Sequence, residues 1–280
     1  MQRIFGALLC LASATGLSGT VHAAGAPVSL APHRAVYDMQ LGDLGQNSGL
    51  AGLSGLMVYD FSGNACDGYS VSFRFVTEFQ DANGGTQVTD LRTTSFEAPD
   101  AGSYQFLTKI YIDQKLSEST KGEARARNGK KQVELKEPEE RSLSIGNTAM
   151  FPTEHLKRVI SAARSGERFV AADIFDGSET GDKVYTTTSV IGAGRNETLP
   201  APANLAGLER ALDTATHWPV TIAYFEPLEG LQGEQMPVYQ LSFELYENGI
   251  SRQLKLDYGD FTIEGKLREL EFYDTAPCVR

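Results

Sequence analysis

The side chains in this 280-residue sequence whose types could do chemistry are few and stand far apart. Beyond the first two dozen residues the histidines are His33, His155 and His217, in separate segments. None has a second His or Cys at ligand spacing, so a zinc site has no support. Cys66 and Cys278 do not belong to a C-x-x-C pair, which argues against a redox-active dithiol. No glycine-rich run ending in Gly-Lys-Ser/Thr offers a phosphate cradle, and Gly192-Ala193-Gly194 lacks the third glycine of a dinucleotide loop. Ser54 in Gly52-Leu53-Ser54-Gly55 is not a nucleophile elbow, because Leu56 occupies the second glycine position. The segment Asp176-Gly177-Ser178-Glu179-Thr180-Gly181-Asp182 alternates oxygens as a calcium loop does. Its twelfth position, however, is Thr187 rather than a bidentate Glu, and a tight turn between two strands is the expectation. Lys121, Arg125, Arg127, Lys130 and Lys131 straddle an Asn128-Gly129 turn and are followed by Glu134, Glu137, Glu139 and Glu140. That pattern reads as a solvated hairpin that neutralises its own charge. No catalytic residue, metal ligand or cofactor-binding residue is expected.

The elements that could position any site come from the rest of the chain. Arg3, the apolar run from Ile4 to Leu17, and small residues in Val21-His22-Ala23 form a secretory signal peptide, with cleavage after Ala23. Residues 24–280 are then expected to form one exported domain with no transmembrane segment. Cys10 follows Leu9 inside the apolar run, which is not a lipobox. A net charge of −11 argues against nucleic acid, whose phosphates require a positive surface. Export leaves two cysteines in an oxidising compartment: they either pair or remain as two buried thiols.

Period two dominates the remaining sequence. Val71, Phe73, Phe75, Thr77 and Phe79 alternate with Ser72, Arg74, Val76 and Glu78, as in a strand with one buried face. Tyr239–Glu247 and Ile250–Tyr258 read as a hairpin across Asn248-Gly249, and a strand from Phe261 extends it to a meander. Within that last strand the apolar parity changes between Leu267 and Leu270, which implies a β-bulge. Further turns are expected at Asn83-Gly84-Gly85 and Tyr258-Gly259-Asp260. One helix stands out, from an N-cap at Thr153 to a stop at Gly166, with Leu156, Val159, Ile160 and Ala163 as its apolar stripe. It reads as a helix that plugs or covers a sheet, with Lys157 and Arg164 on its solvated side. A weaker helix through Leu205, Leu208 and Leu212 follows the stretch Leu199-Pro200-Ala201-Pro202.

Gly55-Leu56-Met57-Val58-Tyr59-Asp60 leads into Gly63-Asn64-Ala65-Cys66-Asp67-Gly68-Tyr69. Phe151-Pro152-Thr153-Glu154-His155-Leu156, Phe175-Asp176-Gly177-Ser178 and a cysteine at the extreme C-terminus follow. In this order the motifs resemble the EipB family of periplasmic cell-envelope integrity proteins, over the span from about His33 to Cys278. The resemblance implies a mostly β fold, a β-spiral: an open, strongly twisted, barrel-like antiparallel sheet of about fourteen strands wound on one main helix, as in periplasmic lipoprotein carriers. It implies a disulfide between Cys66 and Cys278, no catalytic residue and no cofactor. It also implies a non-enzymatic periplasmic factor that maintains envelope integrity. The partner would be another periplasmic or envelope protein, with a TPR-repeat envelope protein as a candidate. A lipid or lipoprotein in an open apolar groove is the small-ligand form of the same expectation, and the sequence does not name the groove's residues. A protein–protein scaffold without a small ligand, and a hydrolase on an unrecognised constellation, are the alternatives.

Overall fold

The structure is a computed structural model that describes residues 27–45, 48–127, 129–196, 212, 215–226, 235–274 and 278. The expected signal peptide and the Leu205–Leu208 part of the expected weaker helix fall outside these residues. The N-terminal strands are β1 (His33–Leu44), β2 (Leu50–Asn64), β3 (Gly68–Asp81), β4 (Thr86–Glu97), β5 (Ser103–Ile112), β6 (Lys115–Arg127), β7 (Lys130–Glu137) and β8 (Arg141–Ile145). Helix α1 (Pro152–Ser165) separates them from β9 (Phe169–Ile174), β10 (Tyr185–Ile191), β11 (His217–Phe225), β12 (Tyr239–Tyr246), β13 (Ser251–Asp257) and β14 (Phe261–Phe272). All fourteen strands belong to one antiparallel sheet, in the order β8-β7-β6-β5-β4-β3-β2-β1-β14-β13-β12-β11-β10-β9. The first and last strands therefore pair in the middle of the sheet, and its two edges, β8 and β9, lie at the ends of the order. Those edges approach each other through Met150, just after β8. Its amide donates to Asp173 O at 2.7 Å, and its carbonyl accepts from Phe175 N at 2.9 Å. This is the open, barrel-like spiral that the family resemblance implies.

Strand parity decides which side chains face inward. Phe73, Phe75, Thr77 and Phe79 on β3 sit opposite Thr93, Leu91, Thr89 and Gln87 on β4. On the outer face Asp90 accepts from Arg74 at 2.8 Å and Arg92 at 2.6 Å. Hydrogen bonds from Arg74, reinforced by Arg92, hold its carboxyl down at about 2. The expected bulge is present: Val36 pairs with Glu269 and Tyr37 with Leu267, so Arg268 is the extra residue that moves Leu270 back inward.

The antiparallel register sorts the turns into two ends of the spiral. The turns around residues 45–49, 82–85, 113–114, 175–184 and 258–260 share one end; those around 65–67, 98–102, 129 and 248–249 share the other. Helix α1 occupies the second end. There Lys157 Nζ lies 4.5 Å from the centre of the Tyr69 ring and Arg164 pairs with Glu247 at 3.7 Å. Val159, Ile160, Ala162 and Ala163 join the main core with residues of β1–β3 and β10–β14. A second cluster, Tyr104, Phe106, Val133, Leu135, Phe151 and Phe175 among its members, fills the space inside β5–β8.

Several local expectations change. The helix N-cap is Phe151, not Thr153. The carboxylate of Glu97 on β4 takes the amides of Thr153 and Glu154 at 2.7 and 2.8 Å, so a neighbouring strand caps the helix from outside. Gly166 ends it as expected, with φ of +80° and the Glu167 amide bonded to Ala162 O at 2.9 Å. Leu156 is only half-buried, whereas His155 and Ala162 are buried, because the helix is surrounded on more than one side. Lys157 packs on Tyr69 instead of standing free in solvent. The segment 175–184 is a long crossover rather than a tight turn: Thr120 donates to Glu179 O and Tyr104 to Asp176 O. A Cβ at Gly181, whose φ is +74°, would sit 2.7 Å from Leu135 and 2.8 Å from Thr120, so this close crossing needs glycine. Lys131 of the supposedly solvated hairpin is buried; its Nζ donates to Ala149 O at 2.5 Å and lies 4.2 Å from the Phe151 ring centre.

Candidate functional site

At the end of the spiral opposite α1, the inner face is left open. Neither the helix nor the 175–184 crossover reaches the inward residues of β3–β5 there, and a groove of about 790 Å³ results. A volume of this size suits a small-molecule or lipid-chain site. Phe75 and Phe79 of β3, Leu91 of β4 and Ile110 of β5 form one wall, and Phe261 and Ile263 of β14 form the other. Each wall follows from period two: Phe75 sits opposite Leu91, and Leu91 opposite Ile110. Thr77 and Thr89, paired across β3 and β4, interrupt the apolar lining.

The rim is made by turns. Asp81 closes β3 and its Oδ1 accepts the amides of Asn83 at 2.6 Å and Gly85 at 3.1 Å. Asp113 and Gln114 form a two-residue hairpin loop between β5 and β6, with φ of +48° and +67°, the positive values that a tight hairpin of this length requires. Asp113 Oδ1 accepts the amide of Val88 at 3.0 Å. From the β14 wall an aromatic series runs along the same end: Phe261 to Tyr258 at 5.2 Å, Tyr258 to Tyr239 at 5.9 Å, and Tyr239 stacked on Tyr224 at 4.4 Å between ring centres. Burial pushes the phenols of Tyr224, Tyr239 and Tyr258 upward, so they remain neutral donors.

The residues singled out in the sequence lie elsewhere. Cys66, in the β2–β3 turn, is bonded to Cys278 with the two Cα atoms 5.8 Å apart, at the helix end of the spiral. His33 and His155 are buried, and burial lowers both rings, His155 to about 4. His217 alternates with the core residues Trp218 and Val220, and its Nε2 lies 3.9 Å from Glu244. Among the described residues no group of three or more His, Cys, Asp or Glu is placed to hold a metal ion. The carboxylates of the 175–184 crossover have other partners: Asp176 accepts from Ser178 N, and Asp182 from Thr180 and Arg141. Ser54 is exposed on β2, and Gly192 packs against Pro219. The groove suits an apolar ligand, and none of the histidines, cysteines or loop residues considered for chemistry reaches it.

Sequence reasoning located Phe75, Phe79, Phe261 and Ile263 as strand positions of one parity and the rim turns at Asn83-Gly84-Gly85 and Tyr258-Gly259-Asp260, but missed the Asp113-Gln114 turn and the helix cap. Asp113-Gln114 is not a marked turn dipeptide, although Asp tolerates positive φ. Glu97 sits at an inward position of β4 where Thr89, Thr93 and Ser95 blur the apolar alternation.

Comparison with known proteins points one way. The chain is 42% identical, over 93% of its own length and 90% of the relative's, to the cell envelope integrity protein EipB of Brucella abortus (strain 2308). It superposes with a TM-score of 0.80 and 39% identity on a crystal structure of a β-barrel-like protein of a domain of unknown function from Brucella abortus. That match covers 88% of this chain and all of the other. The EipB-like family model matches residues 24–274, and this protein therefore belongs to the EipB-like family of cell-envelope integrity proteins.

Proposed function

We propose that residues 24–280, freed of the signal peptide 1–23, act in the periplasm as a single non-enzymatic unit that maintains the envelope by holding an acyl chain of an envelope lipid or lipoprotein in the groove. The observation that carries this reading is the unfilled apolar space of about 790 Å³ between β3–β5 and β14. Burying a chain there contributes about 0.8 kcal/mol per CH₂, so about 16 buried methylenes supply roughly 13 kcal/mol, which covers an association cost of about 4 kcal/mol and leaves the roughly 8 kcal/mol of micromolar affinity. The test is titration with a fluorescent acyl probe and a diacyl lipopeptide, with native mass spectrometry of protein taken directly from the periplasm. Saturable binding or a co-purifying lipid is the expected result. Absence of both would defeat the groove reading.

A second reading, a protein partner with no small ligand, is favoured by one surface. Phe169 on the edge strand β9 and Val190 opposite it on β10 are 58% and 53% exposed. An extended segment of another envelope protein, the TPR-repeat candidate included, could pair with that edge. Crosslinking from position 169 to a periplasmic protein, lost in Phe169→Asp, would support it.

A further inference from the structure

We propose that the groove selects a lipid whose head carries a positive charge, as an amine or a quaternary ammonium, over one whose head is only anionic. This rests on the reading that the groove holds an acyl chain, and it adds the chemistry of the ligand's other end.

The groove's lining contains two charged side chains, Asp81 and Asp113, and no Lys or Arg. They stand at its mouth on either side of the start of β4, since Asp81 closes β3 and Asp113 opens the β5–β6 turn. Each is held by backbone amides through Oδ1, and among the described residues neither has a cationic partner within ion-pair distance. Their negative charge therefore faces outward over an apolar cleft whose low-dielectric walls concentrate the field. Asp260 in the β13–β14 turn adds an acidic group on the opposite side of the mouth, while Asp43 and Asp257 both lie near Lys255, which pairs with Asp43 at 2.7 Å. A lipid phosphate or carboxylate seated with its chain between Phe79 and Phe261 would meet like charge on both sides; an ammonium group would meet two fixed carboxylates.

A second observation points to a ligand deeper in the groove. Thr77 is 3% exposed, lines the groove between Phe75 and Phe79, and has no hydrogen-bond partner for its hydroxyl among the described residues. That hydroxyl opens into the groove and is free to donate to an ester or amide carbonyl of a lipid. The lining thus presents, from rim inward, a site for a cation, an apolar ring, a hydroxyl donor and an apolar floor.

The experiment compares lysophosphatidylcholine with lysophosphatidylglycerol of the same acyl chain, below their micelle concentrations, on the full exported chain and on the D81N/D113N double variant. Asn at 113 suits the positive φ of that turn, and Asn at 81 keeps the oxygen that accepts the turn amides, so the fold is preserved. The wild type is expected to bind the choline lipid about tenfold more tightly at low salt, with the ratio falling toward unity in the double variant and in high salt. Equal binding of both lipids, or a preference for the glycerol lipid, would overturn the charge assignment and leave the groove reading intact. A choline preference unchanged in the double variant would also overturn it, by tracing the effect to the overall charge of −11. Saturable binding of neither lipid would defeat the groove reading itself. Thr77→Val is expected to weaken both lipids alike, a loss that a purely electrostatic rim would not produce.

Discussion

Two buried polar side chains at the helix end, Glu97 and His155, determine how the interior is held together. Glu97 supplies both carboxylate oxygens to the first free amides of α1, a role normally played by a residue of the helix's own chain segment. Replacing it with Ala leaves those amides unpaired and is expected to cost about 1–2 kcal/mol in urea unfolding, with Gln recovering part of the loss. Burial raises the Glu97 carboxyl in spite of those two bonds, so its contribution to stability declines as pH rises from the unfolded carboxyl value through the folded one. His155 acts in the opposite direction. Burial lowers its ring from 6.5 to about 4, and Nε2 has no partner among the described residues. The folded state holds the neutral imidazole, while the unfolded chain takes up a proton near 6.5. Stability from this residue is therefore complete above pH 6.5 and lost as pH falls toward 4, by up to about 3 kcal/mol. His155→Leu should flatten the acid limb of a melting temperature against pH curve between 6.5 and 4. An unchanged limb would assign the acid sensitivity to another group.

At the level of elements, helix α1 works as a plug whose value lies in its fully buried face. Ile160 is fully buried and Leu156 half-buried, so Ile160→Ala should cost about 2–5 kcal/mol and Leu156→Ala clearly less. Equal costs by denaturant unfolding would mean that the helix sits in a different rotation. The strands and this helix were legible in the sequence because their signals are periodic: inward Phe75 and Phe79, the Gly166 stop, and a parity change that the Arg268 bulge explains. The features that escaped are those in which the partner is distant in sequence. Glu97 caps a helix 56 residues away, and Lys131 is buried because Ala149 and Phe151 fold over it. The groove's apolar walls were readable as strand faces. Their meeting was not, since Leu91 of β4 and Ile263 of β14 face each other only once the sheet curls.

The whole molecule divides its work between two ends. One end carries α1, the Glu97 cap and the Cys66–Cys278 bridge; the other carries the groove, the acidic turns and the tyrosine series. Pairing of β1 with β14 places the first and last strands side by side at mid-sheet, and the bridge ties Cys278, beyond β14, back to the β2–β3 turn. A link across 212 positions removes about 5 kcal/mol of chain entropy from the unfolded state in the simplest model, an upper figure since denatured-state structure reduces it. If the two ends are independent, stability and affinity should separate by mutation. Cys66→Ser and Cys278→Ser should each lower the melting temperature by a similar amount, because each removes the same bridge, and leave acyl-probe affinity within about twofold. Phe79→Ser, which strips one ring from the mouth of the groove, should weaken the probe about tenfold or more while costing less stability than either cysteine variant. The measurement is a probe titration beside a thermal melt for all three variants. Loss of affinity in the cysteine variants that parallels their loss of stability would show instead that the bridge at one end sets the shape of the groove at the other.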